Sequence, residues 1–229
     1  MKIGGFQKTT LVDYPGKVAS IVFSASCNMR CGYCYNADLA CGKVTGANPD
    51  VVLAQLETRK KYVDAVVITG GEPTIWPDLP AFMQRLKKSG FCVKLDTNGL
   101  MPERLEYVFQ NRLADYVAMD VKAPYRKYAE IAGVLLDPDK IRESIELIKF
   151  SGIDYEFRTT VAPGLTEEDL GEIALQIAPA KRWFLQPFQP SPTIMDPAIL
   201  KQPWLTTKQI QAVATKNAHR FQTCQVRGT

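Results

Sequence analysis

The stretch VASIVFSASCNMRCGYC, at residues 18–34, joins an apolar run to a cluster of three cysteines. Residues 18–23 are apolar and rich in β-branched side chains, and turn signals bound them, so they predict a buried strand. Cys27, Cys31 and Cys34 follow it in a C-x3-C-x2-C spacing. We interpret the rest of the chain as a scaffold built around this loop.

The alternation of strand and helix continues along the chain. Further strands are predicted at 64–69, 91–95, 116–119, 155–161 and 182–185. Helical patterns separate or follow them at about 48–56, 79–89, 102–110, 137–152, 166–177 and 206–218. Six such units with short connections indicate an α/β protein with a parallel sheet and right-handed crossovers. Because no G-x-G-x-x-G follows a predicted strand, a complete or partial β/α barrel is favoured over a dinucleotide-binding sheet.

The composition and charge of the chain limit the classes of protein to which it can belong. The 229 residues are 46% hydrophobic and 23% charged, which is typical of a soluble globular chain, and we expect a single domain over residues 1–229. The net charge is +4 with no block of Lys and Arg, so no nucleic-acid partner is expected. The sequence shows neither a signal peptide nor an apolar run of membrane-spanning length. We therefore expect a cytoplasmic protein without a membrane partner, in which clustered cysteines are metal ligands or redox groups.

Three closely spaced thiolates suit either zinc or an iron–sulfur cluster. A structural zinc ion needs a fourth protein ligand, for which His219, Cys41, Cys92 and Cys224 are the available side chains. A [4Fe–4S] cluster can instead use three cysteines and leave one iron open to a small molecule. A reactive thiol pair is the third alternative. The cluster is favoured.

Polar residues stand where the predicted strands end. In β/α barrels these carboxyl ends of the strands form the active site. The segments in question are Gly70-Gly71-Glu72, Asp96-Thr97-Asn98-Gly99, Asp120-Val121-Lys122, Arg158-Thr159-Thr160 and Gln186-Pro187-Phe188-Gln189. Such chemistry at every strand end predicts that these segments surround one site together with the cysteine loop.

The cysteine spacing, with Tyr33 just before the third cysteine and Gly70-Gly71-Glu72-Pro73 after the second strand, resembles the radical S-adenosylmethionine (SAM) superfamily. The resemblance implies a partial (β/α)6 barrel with an extra C-terminal helix. It also implies a [4Fe–4S] cluster held by Cys27, Cys31 and Cys34, whose open iron binds SAM. One electron then cleaves SAM to a 5′-deoxyadenosyl radical that abstracts a hydrogen atom. The cofactors carry this chemistry, and the protein supplies geometry and exclusion of water.

Within that superfamily, the strand ends resemble the activases of glycyl-radical enzymes. By that resemblance Asp96, Thr97, Asp120 and the Ala118 carbonyl would hold a monovalent cation beside the SAM carboxylate. The side chains of Lys122 and Arg158 match positive groups that contact SAM. The whole predicted set of cofactor contacts is Tyr33, Gly70, Gly71, Glu72, Asp96, Asn98, Lys122, Arg158 and Gln189, although related activases carry histidine at the last position.

The segment FQKTTLVDYPGK at residues 6–17, and Asn36 after the last cysteine, are similar to activating proteins of anaerobic ribonucleoside-triphosphate reductase. This resemblance implies a glycyl-radical enzyme, that reductase, as partner and reduced flavodoxin or ferredoxin as electron donor. Two alternatives stay open. One is a radical SAM enzyme acting on a small molecule or peptide, such as a carboxy-deazaguanine synthase-like enzyme. The other is a non-enzymatic electron carrier or zinc-stabilised binding module.

Overall fold

A computed structural model describes residues 1–228, and its strands form one eight-stranded sheet. The strands pair in chain order, with β1 antiparallel to β2 and every later pair parallel. Among the described residues β1 and β8 do not pair with each other, so the sheet is open. The strands are β1 (Ile3–Thr10), β2 (Ala19–Ser24), β3 (Ala65–Gly70), β4 (Cys92–Thr97), β5 (Tyr116–Asp120), β6 (Asp154–Val161), β7 (Ala180–Pro187) and β8 (Phe221–Val226).

Helices connect the parallel strands. They are α1 (Ala37–Ala40), α2 (Pro49–Arg59), α3 (Leu79–Lys88), α4 (Pro102–Gln110), α5 (Tyr128–Ala132), α6 (Pro138–Phe150), α7 (Glu167–Ile177) and α8 (Thr207–Asn217). Short 3₁₀ turns occur at Pro73–Ile75, Tyr125–Lys127, Pro197–Lys201 and Ala218–Arg220. Within residues 1–228 none of the helices has both the length and the apolar character required to cross a bilayer.

The six predicted strands are confirmed as β2 to β7, and the long helices lie where the periodicity predicted them. The edge strands β1 and β8 were not predicted. The sequence of β1, IGGFQKTT, has two adjacent glycines and ends in four polar residues, so it carries no strand pattern, and its pairing with β2 makes it a strand. The sheet is therefore wider by one strand at each edge than the predicted six-stranded one.

All the long helices pack on one face of the sheet. Their apolar side chains join one core cluster with alternate strand residues such as Val66 and Ile68. The intervening residues Ala65 and Val67 point to the other face, where they pack with Tyr14, Tyr116 and neighbouring side chains in a second, smaller cluster. Helices on a single face are typical of barrel-like α/β folds, whereas a doubly wound sheet carries helices on both faces. The face without helices lines a cavity.

The parallel register brings the polar strand ends together. Asp96 of β4 lies opposite Ala118 of β5, and Asp120 of β5 lies opposite Arg158 of β6. Since parallel strands all end at the same edge, side chains predicted from separate parts of the sequence converge there.

The amino end of α7 is fixed by a buried carboxylate. Thr166 caps the helix, and the Asp169 side chain accepts a hydrogen bond from the Thr166 backbone N–H at 2.9 Å, completing a capping box. Asp169 has no exposed side-chain surface and also pairs with Arg126 and with Lys127, whose Nζ lies 2.7 Å away. This carboxylate therefore joins α7 to the segment that follows β5.

We expect Asp169→Asn to lower the free energy of unfolding by about 2 to 3 kcal/mol, because it removes the charge that two cations and a helix cap share. Urea unfolding followed by circular dichroism measures the change. Glu168→Gln, at the exposed neighbouring position, is the matched control and should cost less than about 1 kcal/mol. Equal effects of the two substitutions would contradict the assignment.

Candidate active site

Three cysteines line a cavity of about 720 Å³ at the carboxyl edge of the sheet. Within residues 1–228 all six cysteines are free thiols, and those that line this cavity are Cys27, Cys31 and Cys34. The volume lies within the roughly 300–1,000 Å³ typical of small-molecule sites. The structure thus brings the predicted cysteine loop to the predicted edge.

Backbone contacts with several segments hold the loop in place. The Cys27 N–H donates to the Ala40 carbonyl at 2.9 Å, and the Arg30 N–H donates to the Ala132 carbonyl at 2.8 Å. Glycine is required where the loop meets β3, because a Cβ on Gly71 would lie 1.9 Å from the Ser26 carbonyl oxygen. The loop is therefore shaped by close backbone packing before any ligand binds.

The segment after β7 covers the outer side of the cysteine loop. The Met195 N–H donates to the Cys34 carbonyl at 2.9 Å, and the Asp196 N–H donates to the Gly32 carbonyl at 3.0 Å. We call residues 191–201 the covering segment. Met195 also lines the cavity, so this segment forms part of its wall.

The Glu72 side chain joins the ends of β3 and β4. Its Oε1 accepts hydrogen bonds from the Thr74 N–H, the Thr74 hydroxyl and the Thr97 hydroxyl, and its Oε2 accepts one from the Asn98 N–H at 2.6 Å. Burial raises the pKa of this carboxyl group, while the bonds from Thr74, Asn98 and Thr97 act in the opposite direction. With its side chain committed to these partners, Glu72 offers a ligand chiefly its backbone, as do the cavity-lining Gly70 and Gly71.

Asn98 connects β4 to the cysteine loop. Its Nδ2 lies 2.7 Å from Asn28 Oδ1 and 3.7 Å from Cys27 Sγ. Burial and the nearby Glu72 raise the pKa of the Cys27 thiol to about 11. An amide donor beside a sulfur favours its thiolate form, which is the form that binds metal.

A chain of alternating charges crosses the cavity wall from β4 to the segment after β5. Lys94 Nζ lies 2.7 Å from Asp96 Oδ1, and Arg158 Nη1 lies 3.1 Å from Asp96 Oδ2. Arg158 Nε donates to Asp120 Oδ1 at 2.8 Å, and Lys122 Nζ lies 3.6 Å from Asp120 Oδ2. These five residues, which we call the charge chain, carry three positive and two negative charges.

Opposite charges keep the acidic members of the charge chain ionised. Burial opposes ionisation of Asp96, but the coulombic effects of Arg158 and Lys94 outweigh it and hold the pKa of this carboxyl below its usual range. Asp120 behaves in the same way, with Arg158 and Lys122 lowering its pKa against burial. Buried charges are tolerated only when they are paired in this manner.

The charge chain includes the two aspartates that were predicted to bind a monovalent cation, and it pairs them with positive side chains. All four oxygens of Asp96 and Asp120 face a cationic nitrogen at 3.6 Å or less. The Thr97 hydroxyl donates to Glu72, and Ala118 is a buried residue of β5. A hard cation needs several free oxygen ligands and is repelled by neighbouring positive charges. The four predicted ligands therefore do not fit a monovalent cation in this arrangement.

The remaining predicted residues are placed as follows. Tyr33 is buried in the cavity wall with its ring centroid 6.0 Å from Lys122 Nζ, and its hydroxyl has no hydrogen-bond partner among the described residues. Gln189 is exposed at the cavity. The alternative zinc ligands His219, Cys92 and Cys224 lie on other elements, outside the lining of the cavity.

Lys94 is a residue that our sequence reasoning missed. Its side chain is only 2% exposed, yet it carries a full charge. The signal was a lysine inside an apolar run, two positions before Asp96 and hence on the same face of the strand.

The donor set of the cavity fits the cofactors that the resemblance implied. Three soft thiols line the same cavity, and this donor type and number suit an iron–sulfur cluster with one open iron. Lys122 and Arg158 supply positive charge for a carboxylate, and the Gly70 to Glu72 backbone borders the same space. The cavity can therefore hold a cluster and a zwitterionic small molecule side by side.

Comparisons with known proteins show to which family this chain is related. The sequence profile described as "Radical SAM superfamily" matches residues 21–177. The protein named "Putative glycyl-radical enzyme activating enzyme MJ1227", from Methanocaldococcus jannaschii, is 34% identical over 194 residues, which cover 82% of this chain and 80% of the relative. A 7-carboxy-7-deazaguanine synthase of Methanopyrus kandleri is 30% identical over 132 residues, covering 48% of this chain and 52% of that one.

Solved structures show the same fold at low identity. Streptococcus suis SuiB bound to S-adenosylmethionine superposes with a TM-score of 0.69 and 15% identity, covering 90% of this chain and 49% of SuiB. The match thus spans about half the length of SuiB and of the deazaguanine synthase, but 80% of the Methanocaldococcus jannaschii relative. The profile covers more than half of the chain, and the chain accordingly belongs to the radical SAM superfamily.

Proposed function

We propose that this protein is a radical SAM activase that generates a glycyl radical on a partner enzyme, with anaerobic ribonucleoside-triphosphate reductase as the first candidate. The observation that carries the proposal is that one cavity is lined by three thiols, by the Gly70 to Glu72 backbone and by the four members of the charge chain other than Lys94. The similarity over 82% of the chain to a protein named as a glycyl-radical enzyme activating enzyme supports the choice of reaction.

Membership of the radical SAM superfamily implies a [4Fe–4S] cluster and SAM as cofactors. In our proposal Cys27, Cys31 and Cys34 would hold the cluster. When bound, the cofactors would supply one-electron cleavage of SAM to methionine and a 5′-deoxyadenosyl radical, and transfer of a hydrogen atom from a partner glycine would give 5′-deoxyadenosine and a glycyl radical. Reduced flavodoxin or ferredoxin is the proposed electron donor.

The chain's own residues bind and orient these groups. Lys122 and Arg158 offer positive charge to the SAM carboxylate, and the backbone of Gly70 to Glu72 offers carbonyl groups to its ammonium. Asn98 supports the Cys27 sulfur, and Tyr33 closes the wall next to the third cysteine. Gln189, exposed at the cavity, is positioned to contact the adenine or the incoming substrate. Buried walls on the loop side exclude water from a reactive radical.

The open sheet suits a protein substrate. Among the described residues β1 and β8 leave the sheet unclosed, and Gln7 of β1 and Arg227 after β8 both line the cavity. A glycine-bearing loop of a partner can approach between these edges in our proposal.

A second candidate is a radical SAM enzyme that acts on a small molecule. The partial similarity to a 7-carboxy-7-deazaguanine synthase, which covers 48% of this chain, supports this second candidate. Such an enzyme would turn over a free metabolite repeatedly and would need no partner with a glycyl radical.

We expect Cys27→Ala, Cys31→Ala and Cys34→Ala each to lose most of the iron that the anaerobically reconstituted protein binds, about four atoms per chain, because each removes a cluster ligand. Iron assay, the visible absorption of the cluster and release of 5′-deoxyadenosine from SAM are the measurements.

Cys41→Ala is the matched control for this series. Cys41 is exposed and lies outside the cavity lining, so its replacement should leave iron content and SAM cleavage unchanged. Full iron in any of the three loop variants, or its loss in Cys41→Ala, would argue against the proposed ligands.

The partner reaction is tested by mixing the reconstituted protein anaerobically with SAM, a reduced electron donor and anaerobic ribonucleoside-triphosphate reductase. We expect a glycyl-radical signal by electron paramagnetic resonance, with about one 5′-deoxyadenosine released for each radical formed, since one hydrogen atom is transferred per SAM. A reductase whose radical-bearing glycine is changed to alanine should give no signal. SAM cleavage without a radical on any glycyl-radical enzyme, but with turnover of a metabolite, would favour the second candidate.

A further inference from the structure

We propose that Lys94 takes the place of an alkali cation in this site, so that SAM binding here is independent of Na⁺ and K⁺. The inference rests on the SAM-binding part of the proposed function and goes beyond it, because it assigns a role to a residue outside the family motifs. It starts from the disagreement between the expected cation ligands and the charge chain.

The Lys94 ammonium group is buried, charged and paired. Its side chain is 2% exposed, and Nζ lies 2.7 Å from Asp96 Oδ1 and 5.9 Å from the centroid of the Tyr116 ring. No gain in packing explains a lysine here, since an apolar residue would fill the same space without the cost of burying an ammonium group. We therefore interpret the role of Lys94 as neutralising the charge of the Asp96 carboxylate.

The two carboxylate oxygens of Asp96 have different partners. One oxygen accepts from Lys94, and the other accepts from Arg158, which continues through Nε to Asp120. Without Lys94 the pair of carboxylates would face Arg158 and Lys122 alone, and Asp96 Oδ1 would have a vacant position for a cation. With Lys94 in place that position is filled by an ammonium group of the same charge.

This arrangement fixes the orientation of Arg158. The guanidinium group is held between two carboxylates, and Asp96 is in turn held by Lys94, so Arg158 presents a defined face to the cavity that it lines. Lys94 does not line the cavity in this structure and acts through Asp96 and Arg158. It is a positioning residue, with the SAM carboxylate as the group that benefits.

The test measures the dissociation constant of SAM for the reconstituted holoenzyme by isothermal titration, in buffers of KCl, NaCl or tetramethylammonium chloride at equal ionic strength. For the wild-type protein we expect the three values to agree within about twofold. Lys94→Met, which keeps the length of the side chain but not the charge, should bind SAM at least about tenfold more weakly in tetramethylammonium. Added K⁺ should restore most of that loss.

Two further variants separate the charge from general structure. Lys94→Arg keeps a positive charge and should retain independence of the salt. Lys140→Met makes the same substitution at an exposed position of α6 and should leave SAM binding unchanged in every buffer. Far-ultraviolet circular dichroism and thermal melting show whether each variant is folded. If Lys94→Met does not fold, the inference is still tested by the salt dependence of SAM binding in the wild-type protein and in Lys94→Arg.

The outcomes are distinct. A wild-type dissociation constant that falls tenfold on adding K⁺ would overturn this inference alone. The same holds for wild-type affinity in Lys94→Met, or for a loss of affinity that K⁺ does not restore. A wild-type protein that binds no SAM in any salt would overturn the proposed function and this inference with it, whereas failure to activate a partner would leave the inference standing.

Discussion

The burial of charge on the helix-free face of the sheet is the constraint on which the site depends. All the long helices cover the other face, so side chains on this face must satisfy one another. The charge chain does this by alternation, from Lys94 through Asp96, Arg158 and Asp120 to Lys122. Removing any member would leave a neighbouring charge without at least one of its partners, which costs stability because the remaining charge stays buried.

A second set of contacts positions the cysteine loop against this network. The Glu72 carboxylate ties the end of β3 to the end of β4, and Asn98 extends from β4 to Asn28 in the loop. Gly71 allows the loop backbone to approach β3 more closely than any side chain would permit. The thiols and the charged groups thus share one framework, so a shift in either alters the distance between them.

Much of this arrangement was predictable from the sequence, for identifiable reasons. Strands β2, β3 and β5 are mostly apolar, and β4, β6 and β7 contain β-branched or aromatic residues among polar ones. The parallel topology alone places the polar ends of these strands at one edge. The edge strands were missed because β1 contains glycines and polar residues, and its pairing with β2 comes from tertiary structure and not from propensity.

The contacts inside the site were harder to predict. That Arg158 would bridge two carboxylates depends on rotamers and on the register of three strands, which no local pattern encodes. The assignment of Asp96 and Asp120 to a cation followed the resemblance and did not take Lys94 into account. The position of the covering segment could not be predicted either. Two backbone hydrogen bonds hold it to the cysteine loop, more than 150 residues earlier in the chain, and backbone hydrogen bonds do not depend on residue type.

That covering segment has a consequence for oxidative damage. Its longest regular element is a 3₁₀ turn, and its hydrogen bonds to the region of the cysteine loop come from the Met195 and Asp196 N–H groups and the Thr193 hydroxyl, with Ile199 beside Gly32. Segments with so few anchors open locally at a much lower free-energy cost than the whole domain unfolds. Local opening of this segment would therefore expose the loop at Gly32 and Cys34 to dioxygen while the rest of the fold stays intact, in addition to the access that the open side of the cavity allows.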